Sequence, residues 1–186
     1  MSSEADRKEL SKRLSYVLRH NPSSIDINLD GAGWVDFDEL IEKLATIGNL
    51  SVTAEQVVDV VETNDKQRFQ IIDGQIRATQ GHSVDVDLGL DPLVPPDVLW
   101  HGTVEKFLDS IMTQGLISGS RTHVHLSVDA DTATKVGQRR GRPVLLRVDA
   151  AALHHNGQEF FRSANGVWLA EHISPNALSI AKEGAP

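Results

Sequence analysis

Arg68-Phe69-Gln70-Ile71-Ile72-Asp73-Gly74-Gln75-Ile76-Arg77-Ala78 reads as two short strands joined by a two-residue turn. Asp-Gly between two such runs is a strong hairpin signal, because both turn positions need positive φ and glycine takes the second without steric cost. Upstream the pattern is helical. Leu10, Leu14, Val17 and Leu18 share one helical face, and Asn21-Pro22 stops that helix. Asp36 with Glu39 resembles a capping box opening a second helix over residues 40–45, which Gly48 can end. Thr53 with Gln56 repeats the signal, and Val57, Val58, Val60 and Val61 supply the apolar face of a third helix.

Three helices followed by a hairpin suggest a winged-helix module, a topology that does not by itself assign a function. Downstream, Asp85-Val86-Asp87-Leu88-Gly89-Leu90-Asp91-Pro92-Leu93-Val94-Pro95-Pro96 is rich in Pro and Asp and lacks periodicity. Each proline removes a donor and restricts its neighbour, so 85–96 reads as an extended linker between a lobe at 1–84 and a second at 97–186. The second lobe alternates short strands and shorter helices. Strands are expected at 98–101, 123–127 and 143–148, with a strand pair at 160–162 and 167–172 around Asn165-Gly166. A helix is expected over 104–113, ending near Gly115, and Asp129 can cap another. The whole is α+β, with more strand than helix after the linker.

A chain of 186 residues allows one domain or two small ones, and 40% hydrophobic residues suffice for a core. Zero cysteines exclude disulfides and thiolate metal sites or nucleophiles. No apolar run approaches the roughly 20 residues that span a bilayer, and the N-terminus lacks a signal-peptide apolar region. A soluble cytoplasmic protein is the expectation. The net charge of −8 argues against nonspecific nucleic-acid binding, but it is unevenly spread. Residues 1–80 hold nine Lys/Arg and fourteen Asp/Glu, whereas 97–186 hold nine of each. A local basic pocket fits this balance; a broad basic surface does not.

Two separated motif groups carry the chemistry. Leu18-Arg19-His20-Asn21-Pro22 sets Arg beside His at a helix end, and Trp100-His101-Gly102-Thr103 and Arg121-Thr122-His123-Val124-His125-Leu126-Ser127 set His and Arg on candidate strands. Arginine brings a permanently charged, planar donor fork, and histidine can donate or move a proton near neutral pH. Together they suggest a site for a phosphorylated ligand. Simpler readings stand beside this one. Arg19 could serve only the helix dipole, and Arg139-Arg140-Gly141-Arg142 could be a solvated charge run. His123 and His125 form a possible metal pair, but no third ligand follows from spacing, and no metal is expected. His123 reads as half-buried, Trp34, Trp100 and Trp168 as core residues, and Gly31-Ala32-Gly33 as a turn.

In order along the chain come Leu18-Arg19-His20-Asn21-Pro22, Arg68-Phe69, Gln80-Gly81-His82-Ser83, His101-Gly102-Thr103, Arg121 with His123-Val124-His125-Leu126-Ser127, and Gly137-Gln138-Arg139-Arg140-Gly141. On these six motifs the chain resembles the NAD-dependent RNA (tRNA) 2′-phosphotransferase family, from about residue 10 to 180. The resemblance implies an N-terminal winged-helix lobe and a C-terminal, NAD-binding lobe of the ADP-ribosyltransferase type, both contributing to one cleft. It implies removal of an internal RNA 2′-phosphate in two steps. The phosphate first attacks C1″ of the nicotinamide ribose and expels nicotinamide. The ribose 2″-hydroxyl then attacks phosphorus, releasing RNA with a free 2′-hydroxyl and ADP-ribose 1″,2″-cyclic phosphate.

By motif, the family's catalytic set maps onto Arg19, His20, Arg68 and Arg121. The arginines would clamp the phosphate and stabilise the second transition state, and His20 would orient it and act as an acid or base. The resemblance implies NAD contacts at His101, Gly102, Thr103 and His125, with Arg139 on the pyrophosphate or adenosine side. Gly102 would permit close backbone approach to the dinucleotide. Gln80-Gly81-His82-Ser83 would line the RNA entrance. Ile117-Ser118-Gly119-Ser120 departs from the family pattern, which usually carries a Lys and a Met before the arginine. Two other readings stay open: ADP-ribosylation of terminal nucleic-acid phosphates, and a non-catalytic RNA-binding module responsive to NAD or ADP-ribose. The RNA partner and oligomeric state are not readable from the sequence.

Overall fold

A computed structural model describes residues 3–181. The chain divides into two compact units, Met1–Gly89 and Leu90–Pro186.

In the first unit, α1 (Glu4–Arg19) is capped by Ser3, whose side chain accepts from the Asp6 amide while the Asp6 carboxylate accepts from the Ser3 amide. Leu14, Val17 and Leu18 point into the core, with Leu10 packed at its margin. Asn21-Pro22 ends the helix as expected: the amides of His20 and Asn21 both bond to the Tyr16 carbonyl, and Pro22 opens a short 3-10 turn. β1 (Val35–Asp36) is followed by α2 (Phe37–Thr46) and α3 (Ala54–Glu62). Thr53 and Gln56 form both halves of a capping box; at Asp36 only the carboxylate-to-Glu39 amide bond forms. Gly48 ends α2 by a route other than a left-handed turn. A Cβ there would lie 2.6 Å from the Leu44 carbonyl oxygen, and the left-handed residue is Asn49 (φ 51°).

β2 (Phe69–Ile72) and β3 (Gln75–Ala78) form the expected hairpin, with Asp73 and Gly74 at φ 50° and 75°. Positive φ at both positions is the primed turn whose twist matches the strands. The antiparallel sheet runs β1-β3-β2, so the two-residue β1 joins on the free edge of β3. A strand that short has no readable alternation. Its existence depends on the edge that β3 offers.

The stretch 85–96 contains no helix or strand, yet it does not stand apart from both lobes. Val86 is buried, the Asp87 amide bonds to the Gly31 carbonyl, and Arg77 donates to the Leu88 carbonyl, all in the first unit. Leu93 donates its amide to the Phe160 carbonyl in the second. The segment expected as a separate linker is therefore divided between the units. Proline restricts the backbone, but the neighbouring amides and apolar side chains still find partners.

In the second unit β4 (Val98–Val104) runs past the expected 98–101, through the whole of His101-Gly102-Thr103. The helix expected over 104–113 is broken into a 3-10 turn, Glu105–Phe107, and α4 (Leu108–Gln114), ended by Gly115 at φ 85°. No side chain caps either piece, which leaves the first turn free to tighten. There follow β5 (Leu116–Ile117), β6 (Val124–Leu126), α5 (Ala130–Gly137) with Asp129 as its N-cap, β7 (Pro143–Asp149) and α6 (Ala150–His155). β8 (Phe161–Arg162), β9 (Trp168–Ala170), β10 (His172–Ile173) and β11 (Leu178–Ile180) complete it.

Three antiparallel sheets result, ordered β11-β7-β4, β6-β9-β8 and β10-β5. β7, the apolar run Pro143–Asp149, is central in its sheet and pairs with β4 over seven residues. Trp100 and Ser127 exchange backbone hydrogen bonds, so β4 meets β6 at one point. Leu99, Leu146, Val148, Phe160, Leu178 and Trp168 are among the residues that fill this core. Trp34 and Trp100 are only half-buried. Trp34 lies in the first unit with the Arg77 guanidinium 4.4 Å from its ring centroid, so one face meets a cation rather than apolar side chains.

Candidate functional sites in the two units

Arg19 is the last residue of α1 and His20 its C-cap, so the helix end delivers both side chains to one place. Arg68 enters from the start of β2. One Arg19 Nη donates to the Arg68 carbonyl at 3.3 Å, and its guanidinium carbon lies 5.9 Å from the Phe69 ring centroid. The Arg68 guanidinium donates to Asn64 Oδ1 at 3.2 Å, and Asn64 in turn donates to the buried Ser11 hydroxyl at 3.2 Å. A helix end, a strand start and a loop thus hold Arg19, His20 and Arg68 in one neighbourhood.

The segment after β3 ties this group together. The Thr79 amide bonds to the Arg68 carbonyl, and the Ser83 amide bonds to the Arg19 carbonyl, both at 2.9 Å. The Ser83 hydroxyl meets His20 Nδ1 at 2.9 Å. Between them His82 is fully buried, and neither ring nitrogen has a hydrogen-bond partner. Burial first, and then the positive Arg19, His20 and Arg77, push its pKa down to about 4. His82 is therefore neutral at physiological pH. Through Ser83, the motif Gln80-Gly81-His82-Ser83 is joined to the end of α1.

The second unit assembles another group. His101 Nδ1 lies 3.0 Å from the His125 carbonyl oxygen. An oxygen of that kind only accepts, so Nδ1 carries the proton and the neutral ring presents Nε2 as a lone pair. Burial lowers the His101 pKa, as does Arg140, against the raising effect of the His125 carbonyl. Arg121 donates to His125 Nδ1 at 2.7 Å, which fixes the neutral His125 ring with its proton on Nε2. Arg121 also feels Arg140, the like charge lowering its pKa after burial does. Among the described residues neither arginine has a carboxylate within ion-pair distance. Two guanidiniums that repel each other with no carboxylate partner, and two tautomer-fixed imidazoles, suit an anionic ligand.

The arginine that His101 and Arg121 feel is Arg140. Arg139, selected from the sequence, is exposed, and the structure shows no link from it to His101 or Arg121. Both arginines of Gly137-Gln138-Arg139-Arg140-Gly141 are exposed, and Arg140 is the one whose charge reaches His101 and Arg121. Gly102 has a demand of its own. A Cβ there would lie 1.8 Å from the Ala133 carbonyl oxygen and 3.0 Å from the Gly137 amide nitrogen, both in α5. Its missing side chain is thus required by the helix packed on β4, a sufficient reason for glycine without any ligand. Thr103, two residues from His101 on the same strand, is buried. His123 is half-buried, its ring edge-on to Phe161 at 5.9 Å. Among the described residues no three His, Cys, Asp or Glu side chains group as metal ligands would, and no helix is long and apolar enough to cross a membrane.

Comparison with known proteins shows the family of the chain. The family model described as RNA 2′-phosphotransferase, Tpt1 / KptA family, matches residues 5–172. The chain belongs to this family. It is 49% identical over 175 residues to a probable RNA 2′-phosphotransferase of Hahella chejuensis, covering 93% of this chain and 94% of that one. A probable RNA 2′-phosphotransferase of Pseudomonas aeruginosa is 52% identical over 174 residues, covering 90% and 95%. One from Streptomyces coelicolor is 49% identical over 170 residues, covering 91% and 93%. The family match reaches into both units and takes in every motif quoted above, so both residue groups lie inside it.

Proposed function

We propose that this chain removes an internal 2′-phosphate from RNA by transferring it to NAD, yielding RNA with a 2′-hydroxyl, nicotinamide and ADP-ribose 1″,2″-cyclic phosphate. The observation that carries this reading is the family match running through both residue groups. The first unit's order of helix, short strand, two helices and hairpin supports reading it as a winged-helix lobe. The second is read as an ADP-ribosyltransferase-like lobe that takes NAD as co-substrate.

The residues present fit such a dinucleotide. Arg121 feels the like charge of Arg140 and neither has a carboxylate partner among the described residues, which favours a pyrophosphate or phosphate beside them. His101 and Thr103 sit two apart on β4 and therefore on one face, where a ring nitrogen and a hydroxyl suit a ribose. NAD supplies an electrophilic ribose carbon with nicotinamide as leaving group. The protein's own side chains orient and neutralise. By the family's motifs, Arg19, His20, Arg68 and Arg121 act on the RNA phosphate. Charge spreads over the phosphoryl oxygens in the second step, where fixed guanidiniums contribute most. His20 orients the phosphate and can give or take a proton. The RNA is a tRNA-like molecule with a 2′-phosphate at an internal position.

Purified protein, NAD and a short RNA carrying one internal 2′-phosphate test the reading by mass spectrometry of both RNA and nucleotide. Loss of the phosphate with formation of the cyclic phosphate is expected. A persistent ADP-ribosyl group on the RNA would instead mean transfer arrested after its first step. No NAD consumption by folded protein would leave a binding module. Arg68→Ala or Arg121→Ala is expected to slow the second step by about a hundredfold, roughly 3 kcal/mol, leaving ADP-ribosylated RNA in single-turnover gels. Equal slowing of both steps would count against that assignment.

A further inference from the structure

We infer that Ser83 is a positioning residue for His20, holding its imidazole in one orientation whether the ring is neutral or charged. The inference rests on the reading of His20 as a group that acts on the phosphate.

Ser83 lies 63 positions beyond His20 and reaches it only because the segment after β3 folds back onto the end of α1. That return is anchored by the backbone: the Ser83 and Val84 amides both bond to the Arg19 carbonyl, at 2.9 and 3.4 Å. His82, fully buried, pins the same segment from the inside, against the turn at Gly33, where a Cβ would come 3.4 Å from its Nε2. The Ser83 hydroxyl therefore sits on a fixed backbone, at an exposed position where packing does not explain it.

The hydroxyl has one proton and two neighbours, His20 Nδ1 at 2.9 Å and the Arg19 carbonyl oxygen at 3.5 Å. The carbonyl already accepts two amides and is the farther of the two. With a neutral ring, the hydroxyl donates to Nδ1, leaving the ring proton on Nε2 as a donor for a phosphate oxygen. With a charged ring, Nδ1–H becomes the donor, and the hydroxyl accepts from it while turning its own proton to the Arg19 carbonyl. A hydroxyl can serve both states; a carboxylate or an amide in its place could not reverse in this way without moving. His20 can then take or give a proton at Nε2 without the ring turning.

The test compares wild type, Ser83→Ala and Ser83→Thr in two readouts, with His20→Ala as reference. In 15N spectra the His20 Nδ1 resonance is expected to shift in Ser83→Ala and to stay near wild type in Ser83→Thr. In single-turnover reaction with 2′-phosphorylated RNA, Ser83→Ala is expected to slow the chemical step about tenfold without changing the NAD requirement. Ser83→Thr should recover most of the rate, and Ser83→Ala should add nothing once His20→Ala is present. An Nδ1 resonance indifferent to Ser83→Ala overturns the inference whether or not the protein turns over RNA. So does a rate loss that is undiminished in the His20→Ala background, which would mark Ser83 as acting elsewhere. If His20→Ala itself runs at the wild-type rate while Nδ1 still shifts in Ser83→Ala, the role given to His20 falls and the hydrogen bond stands.

Discussion

His82 is buried and neutral beside three groups that are cationic when protonated, and this has a pH signature. Its pKa is about 4 in the folded chain and near 6.5 when unfolded. Above 6.5 neither state binds the proton. Between 6.5 and about 4 the unfolded chain binds it and the folded chain does not, so stability falls as pH falls, levelling off below the folded value. The whole contribution is at most about 3 kcal/mol. His82→Leu removes it, and because neither ring nitrogen makes a bond to lose, the substitution is expected to cost little at pH 7. Urea midpoints of the two proteins should converge or cross as pH drops from 7 to 4.5; parallel curves would refute the assignment. Gly102→Ala is the opposite case. A methyl group 1.8 Å from a backbone oxygen forces β4 and α5 apart, and a loss of about 3 kcal/mol, seen as a fall in Tm, is expected.

The capping chemistry of the helices was legible because it is local. Thr53 and Gln56 satisfy each other's amides three residues apart, and Thr53→Ala should cost about 1 kcal/mol by chemical denaturation. The hairpin was equally local, its Asp73-Gly74 dihedrals being those that the residue types favour. Elements that exist only through a partner were not legible. β1 and β5 are two residues each and form because β3 and β10 offer edges. The split of the helix expected over 104–113 lies in the same class, since its apolar spacing is helical but its first turn has no cap. Asn64 belongs to this scale too. It joins Ser11 on α1 to Arg68 before β2, so Asn64→Ala should lower the rate with 2′-phosphorylated RNA while leaving Tm within a few degrees of wild type.

Each unit has its own apolar core, and each should show its own sensitivity. Leu14→Ala in the first and Leu146→Ala in the second remove fully buried side chains and are expected to cost about 2–5 kcal/mol apiece by calorimetry. The chain falls into two compact units, and the proline-rich stretch is shared out between them instead of standing alone. Family membership could be read from six short motifs, all of which lie within the family match. Sequence alone thus determined the helix caps, the hairpin, the central strand at Pro143–Asp149, the arginine and histidine motifs, and the family. Tertiary structure decided what meets what: Ser83 on His20, Asn64 on Arg68 and α5 against Gly102; it also made Arg140, rather than Arg139, the charge that His101 feels. The physical reason is range. Caps and turns are satisfied within a few residues, whereas a hydrogen bond across 63 positions or a strand edge exists only after the backbone has brought its two ends together.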